Sequence, residues 1–314
     1  MARKESRADN ARQRTAKKES RPSAEKEKAA AEAQSTKVKK EGKDGKQEKS
    51  QPGPPKTIWR EYFESAIYTA IMFVFFITFI GRTVGVPTGS MQNTINIGDY
   101  FLINKFIFAP GSHPFFLPQR EIRRGDIIVF KYPGDNDNPT RDQMSIPPVT
   151  PYKDYFIKRV IGLPGETIEI RGATVLINNQ PLPEYRVEAE SGINAKATLD
   201  VKKSPPRQGN ELPYTVYYSQ RTLAVSPDNP EKPPAIFHHG VEKPYVIPPN
   251  NYFVMGDNRD DSADSRAWGT VSAELVVGRA LFVFWSKDES RPPNNLLIDF
   301  FLHARWKRTG TMIK

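Results

Sequence analysis

From Ser65 to Gly81 the chain runs 17 residues without a charge, bracketed by Glu64 and Arg82. The run is aromatic and β-branched and has no polar face, so it does not read as a half-buried helix of a globular core. Flanking residues and a snorkelling Arg82 extend it toward the roughly 20 residues that cross a bilayer. A secretory leader begins with a short basic region at the N-terminus, whereas some 60 residues precede this stretch. The expectation is one transmembrane helix over residues 59–83, and it fixes the organisation of everything else. The residues before it lie on one side of a membrane and the residues after it on the other.

Charge sets the direction. Residues 1–60 hold 18 Lys/Arg against 9 Asp/Glu, which is +9 of the net +10. The positive-inside rule keeps that end in the cytoplasm and sends the region beyond residue 83 across the membrane. Residues 1–58 are rich in Lys, Arg, Glu, Ala, Ser and Gln and nearly lack large apolar side chains. Such a segment buries too little surface to offset its ordering entropy, so a disordered basic tail is expected. Attraction to the anionic inner leaflet is its simplest role. The remainder carries only about +1 of the total, which argues against a nucleic-acid partner. There is no cysteine, so disulfides, thiolate nucleophiles and cysteine zinc sites are excluded. The four histidines are not in HExxH spacing, and neither a metal nor a cofactor is expected.

The outer region reads as mainly β. Short runs of Val, Ile, Phe and Tyr recur at Tyr100–Asn104, Asp126–Tyr132, Tyr155–Ile161, Thr167–Ile170, Thr174–Ile177, Tyr252–Met255 and Val276–Trp285, separated by turn residues. The fold class expected is an antiparallel β-core (residues 84–178 and 251–290) with an inserted second lobe (residues 179–250). The insertion is polar and proline-rich, with a weak strand signal at Tyr214–Tyr218. Residues 291–314 are expected to form a C-terminal amphipathic segment. Within it Leu296–Trp306, and separately Phe115–Leu117, are apolar enough to dip into a bilayer interface.

One lysine stands out. Strand alternation in Tyr155–Ile161 puts Lys158 on the face of Phe156 and Val160. Apolar neighbours desolvate an ammonium and lower its pKa, and a lysine so lowered serves as a general base. An ordinary lysine, near 10.4, is almost wholly charged at pH 7; lowering it by about three pH units leaves roughly a third neutral. Upstream, Thr88-Gly89-Ser90-Met91 offers a serine for it to activate. The Ser90 N–H and the Thr88 hydroxyl are placed to stabilise an oxyanion, and Gly89 admits a close backbone approach. Downstream, Gly256–Gly269 is densely acidic. An EF-hand fails there, because counting from Asp257 puts Ser262 and Trp268 where Gly and Glu belong. Two arginines among the carboxylates favour internal ion pairs instead.

Taken in order, Thr88–Ile95, Gly98–Phe101, Lys158–Glu166 and Gly256–Gly269 resemble the bacterial type I signal peptidases, the membrane-bound serine–lysine leader peptidases. The resemblance covers roughly residues 60 to 285. It implies Ser90 as nucleophile, Lys158 as general base and Thr88 as an oxyanion donor. It further implies Ser262 as the serine that holds the lysine amine, with Asp264 and Arg266 as an ion pair behind it. Val84, Val86, Met91, Ile95, Phe156 and Ile157 are expected to form a shallow substrate pocket that accepts alanine. The partners implied are preproteins carrying signal peptides, the lipid bilayer of the bacterial inner membrane and, by proximity, the export translocon; no cofactor is implied. One departure is plain. The family's nucleophile box usually carries a proline where this chain has Asn93-Thr94-Ile95. Three other readings share the same residues: a serine–lysine peptidase specialised for a conjugation or pilus system, a silent membrane-anchored scaffold, and a cation module on Asp257–Asp264.

Overall fold

The computed structural model describes residues 57–75, 81–108, 119–135, 140, 142, 148–191, 198–226, 234, 236–241, 243–291 and 301–314. Two compact units divide the chain, Met1–Ala66 and Ile67–Lys314. The described part of the first is the opening of helix α1 (Ile58–Phe75), where Arg60 and Glu64 pair at 2.9 Å one helical turn apart. No residue of α1 is buried. Among the described residues, no helix is long and apolar enough to cross a membrane. The expected tail (to residue 56), the stretch 76–80 of the expected span and Phe115–Leu117 lie outside the described residues.

The end of the expected span needs correction. Gly81, Arg82 and Thr83 are not helical; they open strand β1 (Gly81–Gly85), which pairs antiparallel with β2 (Asp99–Asn104) from Gly81↔Asn104 to Gly85↔Tyr100. The ladder gives these backbone groups partners that a helix end would leave open.

The central sheet adds five strands to these two: β3 (Ile127–Lys131), β4 (Tyr155–Gly162), β12 (Asn251–Met255), β13 (Val271–Ser272) and β14 (Val276–Ser286). The order is β1-β2-β14-β3-β4-β12-β13, with all adjacent pairs antiparallel. Strand β3 is covered on both faces, which explains its unbroken apolar run. Ile127 and Val129 join one core with Phe101, Ile103 and Val283; Ile128 and Phe130 join another with Val160, Val254 and Trp268.

A four-stranded sheet sets β5 (Thr167–Arg171) and β6 (Thr174–Ile177) beside β7 (Gln180–Pro181) and β11 (Tyr245–Val246), in the order β11-β5-β6-β7. It straddles the boundary expected at residue 179. A three-stranded sheet is built from β8 (Tyr185–Glu190), β9 (Asp200–Lys203) and β10 (Thr215–Tyr218), in the order β10-β8-β9 and with β10 parallel to β8. Strands β8 and β9 carry no clear sequence signal because they pair on a largely polar surface. The lobe is not a free appendage. Ile168, Val175, Tyr214 and Val216 share one core with Ile161, Phe253 and Met255 of the central sheet.

Residues 301–314 of the C-terminal segment fold back along β14, with bridges from Ala304 to Lys287 and from Met312 to Phe282. Ile313 is buried in the core that also holds Met91 and Ile95. Phe301, Leu302 and Trp306 remain exposed.

A buried ion pair ties the lobe to the central sheet. Arg259 donates Nη1 to Glu184 Oε2 at 2.8 Å and to the Tyr218 hydroxyl at 2.7 Å, and Nη2 to Glu184 Oε1. Both side chains are out of contact with solvent. Removing one partner strands the other charge, so Glu184→Ala is expected to cost about 3–5 kcal/mol. Urea unfolding in detergent checks this. A Glu184→Leu, Arg259→Met double variant, with no stranded charge, is expected to recover much of the loss.

Candidate active site

Ser90 sits in a single tight turn, Gly89–Met91, entered directly from β1. The fully buried Met91 pins that turn to the core. Lys158 lies in the middle of β4, across from Ile128 of β3. The register and turn bring the two side chains together: Lys158 Nζ donates to Ser90 Oγ at 2.7 Å and to the Ile157 carbonyl at 3.1 Å. Phe156 flanks the amine as alternation demands, its ring centre 5.5 Å from Nζ. Lys158 is only 4% exposed. Burial is the chief cause that lowers its pKa from 10.5 to about 8; Asp264 and Asp257 oppose the change and Arg266 adds to it.

The acidic string forms the wall behind this pair. Asn258 grips the Ser90 turn twice, through its N–H to the Ser90 carbonyl at 3.1 Å and through Nδ2 to the Gly89 carbonyl at 3.2 Å. Gly256 has to be glycine, since a Cβ there would stand 2.5 Å from the Ser90 carbonyl oxygen. The carboxylates are spent on arginines. Asp257 takes Arg159 Nε at 2.7 Å and Nη2 at 2.6 Å, as well as the Thr94 hydroxyl. Asp264 takes Arg266 Nε and Nη2, each at 2.8 Å, and the Gly256 N–H at 3.0 Å. Burial alone would push the Asp264 carboxyl up, but Arg266, the Gly256 N–H and Ser262 together hold it below the ordinary carboxylate value. This accounts for Asp264 and Arg266 as a paired unit, and these two carboxylates are committed to internal partners.

Ser262 is placed differently from expectation. Its hydroxyl is buried near Gly256 and helps to hold the Asp264 charge, yet it completes no hydrogen bond and is not a partner of Lys158. The amine is held instead by Ser90 and the Ile157 carbonyl.

A cleft of about 400 Å³ opens over Ser90 and Lys158. Val84, Val86, Thr88, Val129, Phe156, Ile157, Asp261 and Ala263 are among the residues that line it. Met91 and Ile95 do not line it. Both are fully buried in the core below, because the turn directs them inward to anchor the loop that carries Ser90.

Two residues escaped the sequence reading. Asn258 looked like one more polar residue of a string. Asn93 drew notice only as a departure, and its partner lies 106 residues away. Its amide pairs with the Leu199 backbone, accepting the N–H at 2.6 Å and donating to the carbonyl at 3.2 Å. It tethers the lobe, just before β9, to the loop that follows Ser90, which a proline could not do.

The family described as signal peptidase, peptidase S26, matches residues 59–285. The signal peptidase I of Pseudomonas aeruginosa is 27% identical over 249 residues, 74% of this chain and 75% of that protein. The signal peptidase I of Aquifex aeolicus is 29% identical over 70% of this chain and 82% of its own length. That of Leptolyngbya laminosa is 32% identical over 66% and 70% respectively.

The buried amine has a measurable cost. A pKa of about 8 in place of 10.5 corresponds to about 3 kcal/mol against the folded state wherever the unfolded lysine is charged. The cost is complete below pH 8, where both states hold the proton, and fades between 8 and 10.5, where the folded amine is already neutral and giving up its proton becomes steadily easier as pH rises. Lys158→Met is therefore expected to be inactive but more stable than wild type at pH 7, with the gain shrinking at higher pH. Thermal unfolding at pH 7 and pH 10 measures it, and an equal gain at both values would contradict desolvation of the ammonium as its source.

Proposed function

This chain belongs to the signal peptidase family, peptidase S26, and on that premise we propose that Ser90 is its nucleophile and Lys158 its general base. It is a serine endopeptidase that removes signal peptides from exported preproteins. The observation that carries the assignment is the 2.7 Å contact between a buried lysine amine and the one serine hydroxyl at the floor of the cleft. With Lys158 near 8, roughly a tenth of it is neutral at pH 7. The neutral amine takes the Ser90 proton as Oγ attacks the scissile carbonyl. The Ser90 N–H and the exposed Thr88 hydroxyl receive the oxyanion. Lys158 then gives its proton to the leaving amine, and water, activated by the same lysine, releases the signal peptide from Ser90.

Strand β1 is the outer strand of the central sheet, and Val84 and Val86 project from its end into the cleft. An extended substrate segment pairs with such an edge. Val86 and Ile157 narrow the space beside Ser90, so small residues fit and larger ones clash.

Anchorage in the inner membrane belongs to the same reading. Helix α1 leaves Trp59, Ile67, Ile71, Met72, Phe73, Val74 and Phe75 exposed, a surface suited to lipid rather than water. The apolar sequence continues through residue 80, and β1 limits its far end to the residue before Gly81. The exposed Phe301, Leu302 and Trp306 suit the interface. Alkaline carbonate extraction tests this anchorage: the full chain stays with the membrane, whereas a chain lacking residues 59–80 is released.

The decisive experiment is cleavage of a purified preprotein with an Ala-x-Ala site, in detergent. Wild type is expected to cut, Ser90→Ala and Lys158→Ala to lose at least about a thousandfold. The wild-type kcat/KM should climb with pH through about 8, because the base acts only when deprotonated; a flat profile there would remove Lys158 from the role. In the same assay Val86→Ala and Ile157→Ala should admit valine or leucine before the cut, and unchanged selectivity would move the pocket elsewhere.

A further inference from the structure

The segment 301–314 lies beyond the residues that the family match covers, yet it reaches the nucleophile loop directly. Asp99, at the start of β2, is fully buried. Arg308 donates to it through Nε at 3.0 Å and through Nη2, and Arg305 Nη2 adds a contact at 3.3 Å. The same guanidinium groups seize the loop between Ser90 and β2. Arg308 Nη2 binds the Thr94 carbonyl at 3.2 Å and Arg305 Nη2 binds the Ile97 carbonyl at 2.6 Å. At the far end of the segment, the Lys314 carbonyl accepts from Arg159 at 3.0 Å. Arg159 is the neighbour of Lys158 on β4 and the partner of Asp257.

The loop so held is short and begins at the nucleophile. Ile95 bonds back to the Met91 carbonyl at 2.8 Å, and Gly98 to the Val86 carbonyl at 3.2 Å. A displacement at Thr94 or Ile97 is therefore passed to Ser90 within one turn. Few buried apolar contacts fix the segment itself: Trp306 and Lys307 face outward and Ile313 is its one buried aliphatic side chain. Backbone bonds hold it along β14, among them the Arg305 N–H to the Ser286 carbonyl and the Gly310 N–H to the Val283 carbonyl, each at 2.7 Å, and Arg305 Nε donates to Ser286 Oγ at 2.8 Å; the arginine contacts are what carry that hold to the loop and to Asp99.

Resting on the reading of Ser90 and Lys158 as the catalytic pair, we propose that residues 301–314 are a positioning clamp for the nucleophile, with Arg305 and Arg308 as its two positioning residues. They touch no reacting atom. They fix the loop whose first residue is Ser90, and through it the separation of Oγ from the Lys158 amine. Misplacement of a reacting group by about 1 Å costs on the order of a hundredfold in rate. A loosened clamp consequently lowers kcat while leaving the substrate cleft, and so KM, nearly as it was.

The test uses the full chain in detergent, with rates expressed per folded molecule from near-ultraviolet circular dichroism. Arg308→Ala and Arg305→Ala are expected to lower kcat by roughly tenfold to a hundredfold each, with KM within about twofold. Arg308→Lys keeps the charge and one donor and should restore part of the loss. The pH at half-maximal kcat/KM should stay at its wild-type value, since neither arginine contacts Lys158. Lys307→Ser, on the outward face of the same segment, should change nothing. An unchanged kcat in the Arg305→Ala, Arg308→Ala double variant overturns the proposal. So does a loss that disappears once rates are expressed per folded molecule, which would make the segment merely stabilising. A wild-type chain that fails to cleave, or a Ser90→Ala chain that cleaves normally, defeats the catalytic reading instead, and the two failures are thereby told apart.

Discussion

On the assignment proposed for Ser90 and Lys158, the chemistry depends on keeping one lysine amine out of water and within reach of one hydroxyl. Neither half of that condition is local. A strand supplies alternation, but exclusion of solvent from Lys158 also needs Phe156 beside it, Ile128 across from it and the Ser90 turn over it. A buried ammonium is unstable when charged, so the fold lowers its pKa, and the lowered pKa is what makes it a base. The same burial thus weakens the fold and suits the amine to the base role proposed for it.

A site that opposes its own folding needs a rigid surround, and arginine–carboxylate pairs supply it. Arg159 with Asp257, Arg266 with Asp264 and Arg259 with Glu184 are all buried and all forked. Such pairs add little net stability, because desolvation cancels most of their attraction. Their value lies in geometry: each fork fixes an orientation that apolar packing would leave adjustable. Together they set the Gly256–Trp268 wall against the nucleophile turn, where Asn258 takes both carbonyls. They also set the field at Lys158, with Asp264 and Asp257 on one side of the balance and Arg266 on the other.

How much was legible in the sequence depends on where the information sits. Strands β2, β3 and β4 and the long β14 were readable because their apolar residues recur at short intervals, and the Ser90–Lys158 pairing was readable because each residue lies in a distinctive local string. Strands β1, β8 and β9 were not, since their side chains are mixed and give no clean apolar alternation. Met91 and Ile95 look like pocket residues in one dimension because they adjoin Ser90; in the fold the turn carries them to the opposite side. Ser262 looks like a ligand for the amine by its place in the string, while its hydroxyl is turned toward Asp264. Asn93 shows the limit most clearly. Its amide serves a backbone 106 residues away, and no local pattern announces that.

The residues that escaped the sequence reading share a feature. Each reaches a backbone partner: Asn93 with Leu199, Asn258 with Gly89 and Ser90, Arg305 and Arg308 with Ile97 and Thr94. Backbone groups are the same at every position, so nothing in the partner's identity marks the contact in the sequence. Side-chain pairs such as Asp264 with Arg266 carry complementary charge and can be guessed. A loop held through its carbonyls is therefore sensitive to change in the distant residues that grip it. Asn93 adds a hold of the other kind: its own side chain ties the loop to the Leu199 backbone, so the loop's course is set both by that side chain and by arginines from residues far along the chain.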